Sequence, residues 1–332
     1  MEFQKSDIKK SRSITVDIMK GIAILLIVLY HCIGKNYDSP YSNAIYTTVL
    51  SFTLPVLFLI SGYLALGKVN KNKWFEARIT KLFILIALFA IIYWVWHIIT
   101  PSYSLLEEAD NSFIVYTVGL IYTGFLQIVV WYLYILIICY TISWFSEKIG
   151  KKYGLVIIVG IFGLLNLTTL GIFGIDRLKW YGIFYILGYS MAKYSNKLSK
   201  AKNWLLVTPV LFLVFGILVN WTVGGPIDIS NSLKSGEYRL AITTAIAALL
   251  GICTVWSISH LLSKSRIIGK IIAYIGASSL GIYLLHPLFV GINDNYWLAF
   301  LLTISICLAI NEILKHISWV RWNPKRILKQ EV

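Results

Sequence analysis

Charge is scarce in this 332-residue chain: Asp, Glu, Lys and Arg make up 14% of it, against roughly 25% in soluble domains. Acidic residues are the scarcer kind, 15 against 30 Lys and Arg, which leaves a net charge of +15. With 58% hydrophobic residues and a mean hydropathy of +0.74, a water-soluble fold of this size could not hide its apolar surface. A cytosolic enzyme and a secreted domain are thereby excluded. So is a disordered chain, which would be charged rather than greasy. Cysteine is rare too. Cys32, Cys139, Cys253 and Cys307 all sit inside apolar runs with no CxxC or metal-ligand spacing, so a disulfide framework and a zinc site are not expected, and the four read as packing residues. No internal repeat supports the inverted symmetry of a secondary transporter.

What the chain has in abundance is long apolar runs, and a spanning helix needs ~20 apolar residues. Ten runs meet the pattern: Ile14–Ile33, Ala44–Leu66, Ile79–Ile99, Gln127–Phe145, Tyr153–Phe173, Trp180–Met191, Trp204–Val219, Leu240–Leu262, Ile272–Gly291 and Trp297–Ile317. The sixth is short. Asn111–Phe125 is apolar but interrupted by Gly and Thr, and reads as a re-entrant or interfacial piece. Ten spans use about 200 residues and leave about a dozen for each tail and loop. The expected fold is therefore an all-α integral membrane protein of about ten transmembrane helices with short loops. It is one polytopic domain over 1–332, with basic tails at 1–13 and 318–332. If the N-terminus is cytoplasmic, 24 of the 30 Lys and Arg fall on inner segments. Only Lys35, Arg177, Lys179, Lys234 and Arg239 fall on outer ones, and Lys20 lies within the first span. That bias predicts both termini inside and makes nucleic acid an unnecessary partner for the basic charge. The basic N-terminus followed by an apolar run resembles a signal peptide, but no small-residue cleavage site follows Ile33, so a retained anchor is expected.

Ionisable groups inside a bilayer are costly and are functional candidates by default. In the first span these are Asp17, Lys20 and His31. Asp17 and Lys20 can pair at i,i+3 near the inner end or snorkel to the interface, whereas His31 lies near the outer end of an aliphatic helix. His286, before Pro287 in the ninth span, falls within about two helical turns of His31 in depth. The pair suggests a polar cavity opening outward. His97 reads as interfacial, and His260 and His316 lie near inner ends and need no function. Pro55 and the Ser61-Gly62-Tyr63 sequence mark a kink and a close-approach site in span two. Trp131 and Tyr132 open span four at the outer interface. The outer stretch Thr100–Leu126 has no Lys or Arg but carries Glu107, Glu108 and Asp110.

These residues also carry a family resemblance. Asp17–His31, DIMKGIAILLIVLYH, closely resembles the first helix of the acyltransferase-3 membrane acyltransferases, whose hallmark is Arg or Lys, ten residues, then His. Here the two are Lys20 and His31. Phe52–Leu64 resembles the family's second-helix signature. Ala77–Leu82 resembles its cytoplasmic Arg-x-x-Arg element, with Lys81 replacing the second Arg, which weakens any bidentate phosphate contact there. Trp131-Tyr132-Leu133 and Ser279–Pro287 resemble two later motifs, while Lys148–Leu262 carries none. The chain resembles the stand-alone type, without an appended outer esterase-like domain.

The resemblance implies ten spans and transfer of an acyl group, usually acetyl, from cytoplasmic acyl-CoA. The acceptor is a hydroxyl of a cell-envelope polysaccharide or its lipid-linked precursor, in a plasma membrane expected to be bacterial. His31 is then catalytic, and His286 is expected as the second catalytic residue. The anionic end of CoA is expected against Lys20, Arg78 and Lys81, and the substrates near Ser61, Trp131, Tyr132 and Tyr283. No metal is expected. The alternative class is a transporter or flippase of a lipid-linked glycan, with the same polar groups and no covalent change. A polyprenyl-dependent glycosyltransferase would place paired acids in the first outer loop, which offers only Asp38. The histidine pattern of the other large membrane acyltransferase superfamily is absent.

Overall fold

The computed structural model describes residues 13–36, 40, 43–69, 71–99, 130–150, 153–167, 175–194, 208–211, 214 and 238–316. The expected re-entrant piece, Glu107, Glu108, Asp110, both tails and most of the seventh run lie outside them. Among the described residues the chain is all-helical, with no strand. The helices are α1 (Ile14–Asn36), α2 (Ala44–Ala65), α3 (Asn72–Ile99), α4 (Trp131–Ile149) and α5 (Gly154–Leu167). They continue with α6 (Ile175–Lys193), α7 (Tyr238–Leu262), α8 (Ile268–Ala277), α9 (Ser279–Leu285) and α10 (Tyr296–His316), with a 3-10 turn at His286–Leu288 between the last two.

Five of these, α1, α2, α3, α7 and α10, are long and apolar enough to cross a membrane, and α8 with α9 makes a sixth if the bent pair counts as one span. Most of the seventh run lies outside the described residues, and the fourth, sixth and ninth runs differ from single straight spans for physical reasons. Helices α4 and α6 reach 19 residues each, but tyrosines, tryptophans, serines and charged ends make them more polar than a lone span. Most of their tyrosines and the serines Ser143 and Ser146 are sheltered inside the bundle. The sixth run, only twelve residues as an apolar stretch, extends by a turn at its start because Ile175–Lys179 joins the helix. The ninth is not one straight span: α8 and α9 meet at Ser278 with a bend of 60°.

Helices α1 and α2 form the centre. In the apolar stretch of α1, 67% of residues are buried, against 22% in α3 and α10, so the latter two present most of their surface outward. In hydrocarbon no water drives helices together, so association relies on close packing at small residues and on satisfied polar groups. Both are present. A methyl on Gly62 of α2 would collide with the Tyr185 carbonyl of α6, and one on Gly188 of α6 with the Leu59 carbonyl of α2. Gly21 of α1 and Gly276 of α8 make the same kind of approach, to the carbonyls of Ile272 and Asp17. The close-approach site read at Gly62 is therefore the seam between α2 and α6. Hydroxyls in the helices bond backward to carbonyls four residues earlier, as Ser61 to Leu57 at 2.8 Å and Ser143 to Cys139 at 2.8 Å, which satisfies those donors within their own helix. At the ends, Asn43 Oδ1 accepts from the amides of Ile45 and Tyr46, and Asn295 Oδ1 from those of Trp297 and Leu298. Both side chains act as N-caps. All four cysteines are free thiols, three of them buried.

Candidate active site

The site begins with a proline. In an α-helix the amide of residue 287 would donate to the carbonyl of Tyr283, but Pro287 has no N–H. The His286 ring fills the gap: its Nδ1 lies 2.8 Å from the Tyr283 carbonyl and 3.2 Å from that of Ile282. The chain then tightens into the 3-10 turn, where Phe289 N–H bonds to the His286 carbonyl at 2.9 Å. Tyr93 of α3 donates its hydroxyl to the neighbouring Leu284 carbonyl at 2.5 Å. The imidazole of His286 is held on this framework, completely buried.

Facing it is His31, half-buried on α1, with ring centroids 5.0 Å apart and planes inclined by 46°. The two histidines, 255 positions apart in sequence, therefore meet at one depth. Rings continue in both directions. Tyr30 lies 4.2 Å from His31, Tyr283 5.8 Å from His286, and Tyr132 5.2 Å from Tyr283. The Tyr132 hydroxyl meets Ser61 Oγ at 3.1 Å. Beside this row stands an aromatic wall. Phe58 stacks on Tyr181 at 5.1 Å and meets Tyr132 edge-on at 4.8 Å, and Trp131 lies 5.3 Å from Tyr181. The Arg177 guanidinium sits 5.6 Å from the Trp131 ring centre, a cation–π arrangement. Nearby on α6, Lys179 pairs with Asp176 at 3.5 Å.

His31, His286, Tyr283, Tyr132, Ser61 and Trp131 are thus gathered into one cluster. Lys20, Arg78 and Lys81 are not part of it. Lys20 pairs with Asp17 at 3.7 Å, eleven residues and about 16 Å from His31 along α1. Arg78 lies over the Tyr140 ring at 5.8 Å, and its buried Nε has no hydrogen-bond partner among the described residues. Tyr140 is eight residues below Tyr132 on α4, about 12 Å. Lys81 lines a shallow groove along α3 with Glu76, Thr80 and Ile84. Two polar zones at different depths result, one with imidazoles and hydroxyls, the other basic. His260 and His316 are exposed and distant in sequence from both. Among the described residues no group of His, Cys, Asp and Glu could hold a metal ion.

Sequence reading passed over Tyr30, Tyr93, Tyr181 and Arg177. Tyr181 had a visible signal, since Tyr181, Tyr185 and Tyr189 recur at the four-residue spacing of one helix face. That face turns inward, where Tyr185 bonds Ser143 at 2.9 Å and Tyr189 bonds Glu147 at 2.6 Å.

Comparison with known proteins gives two positive findings. The family model described as "Acyltransferase domain", acyltransferase family 3, matches residues 14–320. The nodulation protein NolL of Sinorhizobium fredii (strain NBRC 101917 / NGR234) is 41% identical over 75 residues, covering 20% of this chain and 19% of that protein. No solved structure matches.

Proposed function

This chain belongs to the acyltransferase-3 family of multi-pass membrane proteins, and from that premise we propose that it moves an acyl group, acetyl in the first instance, from cytoplasmic acyl-CoA to a hydroxyl of a cell-envelope polysaccharide or its lipid-linked precursor. The observation that carries this is the His31–His286 pair at 5.0 Å, set in a row of hydroxyl-bearing side chains and about 12–16 Å in depth from the basic residues. The proposed setting is a bacterial plasma membrane, with ten spans and both termini cytoplasmic. The distribution of Lys and Arg supports it.

The anionic nucleotide of CoA cannot enter hydrocarbon and stays at the inner level. Arg78, whose Nε has no partner among the described residues, is the first candidate to meet it, with Lys81 and Lys20 adding positive charge. The pantetheine arm then reaches upward to bring the thioester beside His31. Trp131, Phe58 and Tyr181 offer flat apolar faces to a sugar ring, and Ser61, Tyr132 and Tyr283 offer hydroxyls. His31 takes the proton of the acceptor hydroxyl as its oxygen attacks the thioester carbonyl. The new C–O bond forms, the C–S bond breaks, and the proton leaves with CoA as its thiol. Membrane lipids surround the bundle, and no metal enters the scheme.

The test follows radiolabel from [14C]acetyl-CoA into the polysaccharide of an isolated envelope fraction, using protein in nanodiscs. Wild-type protein is expected to label the glycan and release CoA. His31→Ala is expected to lose at least about 10²-fold of the rate while still inserting. Wild-type rates from His31→Ala would refute the role. A transporter of lipid-linked glycan would give neither CoA nor labelled glycan.

A further inference from the structure

We infer that Pro287 sets the tautomer of His286, and that His286 acts through it as the positioning residue of His31. This rests on the reading of His31 as the proton acceptor. A carbonyl oxygen can only accept a hydrogen bond, so the nitrogen 2.8 Å from the Tyr283 carbonyl carries hydrogen. A neutral imidazole carries one such hydrogen, so Nε2 holds a lone pair. That Nε2 is buried and has no hydrogen-bond partner among the described residues. An idle buried acceptor is costly, which favours any state in which a donor reaches it.

The ring that faces it belongs to His31. Two imidazoles whose nitrogens meet at about 3 Å have centroids about 5 Å apart, and these stand at 5.0 Å. With one N–H of His31 turned onto Nε2, its other nitrogen presents a lone pair to the acceptor hydroxyl. A carboxylate does this orienting work in hydrolase triads. Among apolar helices a neutral imidazole does it without burying a charge. His286 exchanges no proton during the reaction: the hydroxyl proton passes to His31 and then to the leaving thiolate.

Two substitutions separate the ring's nitrogens. His286→Asn places an amide where Nδ1 was, so it can cap the Tyr283 carbonyl, but it has nothing at Nε2. His286→Gln extends an amide oxygen to the Nε2 position. In the nanodisc assay His286→Gln is expected to keep kcat within about tenfold, while His286→Asn loses about 10²-fold or more with the KM for acetyl-CoA unmoved. Activity retained by Asn and lost by Gln would mean that His286 merely caps a helix, and equal effects from both, in variants with native melting temperatures, would equally overturn the inference. A second measurement needs no turnover. Nitrogen-15 NMR of histidine-labelled protein is expected to show His286 protonated at Nδ1. Pro287→Ala, which restores an amide for the Tyr283 carbonyl, is expected to populate the other tautomer, and a wild-type ring protonated at Nε2 would end the proposal. Should wild-type protein transfer no acetyl group while the NMR result holds, the acyl-transfer reading fails and the positioning role with it, and the proline effect stands alone.

Discussion

At the scale of single residues, the candidate site is a set of hydroxyls and ring nitrogens whose value depends on what each donates to. Tyr93 is a case that lies outside the proposed chemistry. Its hydroxyl bonds the Leu284 carbonyl at 2.5 Å in a buried setting, and removing it takes a donor from a backbone group that water cannot reach. Tyr93→Phe is expected to cost about 0.5–1.5 kcal/mol, read as a lower melting temperature in detergent, with His286 left on its own support. Arg78 makes a second residue-scale prediction. If it meets the CoA nucleotide, Arg78→Gln is expected to raise the KM for acetyl-CoA severalfold and to leave kcat nearly as it was, because that contact is made equally in the ground and transition states.

At the scale of elements, packing decides. The seam between α2 and α6 has no room for a Cβ at Gly62 or Gly188. Either glycine changed to alanine is expected to destabilise the protein by about 1–3 kcal/mol and lower its melting temperature. Gly160 and Gly163 on α5 provide the control, since a methyl there meets nothing within 4 Å; their alanine variants are expected to melt no lower than wild type. Elements also show what the sequence makes legible and what it does not. Helix α1 is readable almost to its ends because a predominantly apolar run of twenty residues is most simply a helix in a membrane, and the depth argument for His31 and His286 needs only the rise per residue. The break at Ser278 is not readable in this way. Ser279–Leu285 is as apolar as the stretch before it, so hydropathy runs on through the 60° bend, which falls at the small residues Gly276, Ser278 and Ser279, where helices commonly kink. Helices α4 and α6 fail the hydropathy test for the opposite reason: their tyrosines and serines satisfy one another across an interface that a one-dimensional reading cannot see.

At the scale of the whole molecule, the proposed orientation has consequences on both sides of the membrane. The turn after α7 exposes Lys264 and Arg266, and the turn before α10 exposes Asp294. If both termini are cytoplasmic, these turns face opposite compartments. A cysteine at position 294 (Asp294→Cys) is expected to react with a membrane-impermeant maleimide in intact cells, and one at 264 (Lys264→Cys) only after permeabilisation. The native thiols give little background, because Cys32, Cys139 and Cys307 are buried and Cys253 is partly so. Labelling of both turns from the same side would mean that α8 and α9 do not cross the membrane as a pair, and the opposite pattern, position 264 labelled in intact cells and 294 only after permeabilisation, would reverse the topology. Charge bias supplies the expectation that this labelling tests, whereas the convergence of rings around the histidines became visible only in three dimensions.

Helix α3 carries Arg78 toward one end and, fifteen residues on, Tyr93, whose hydroxyl grips the backbone beside His286. About 22 Å of continuous helix separates them. Although most of its flank is turned outward, α3 thus links the basic zone to the backbone two residues from His286, and a tilt imposed at the Arg78 end is expected to pull on the Leu284 peptide.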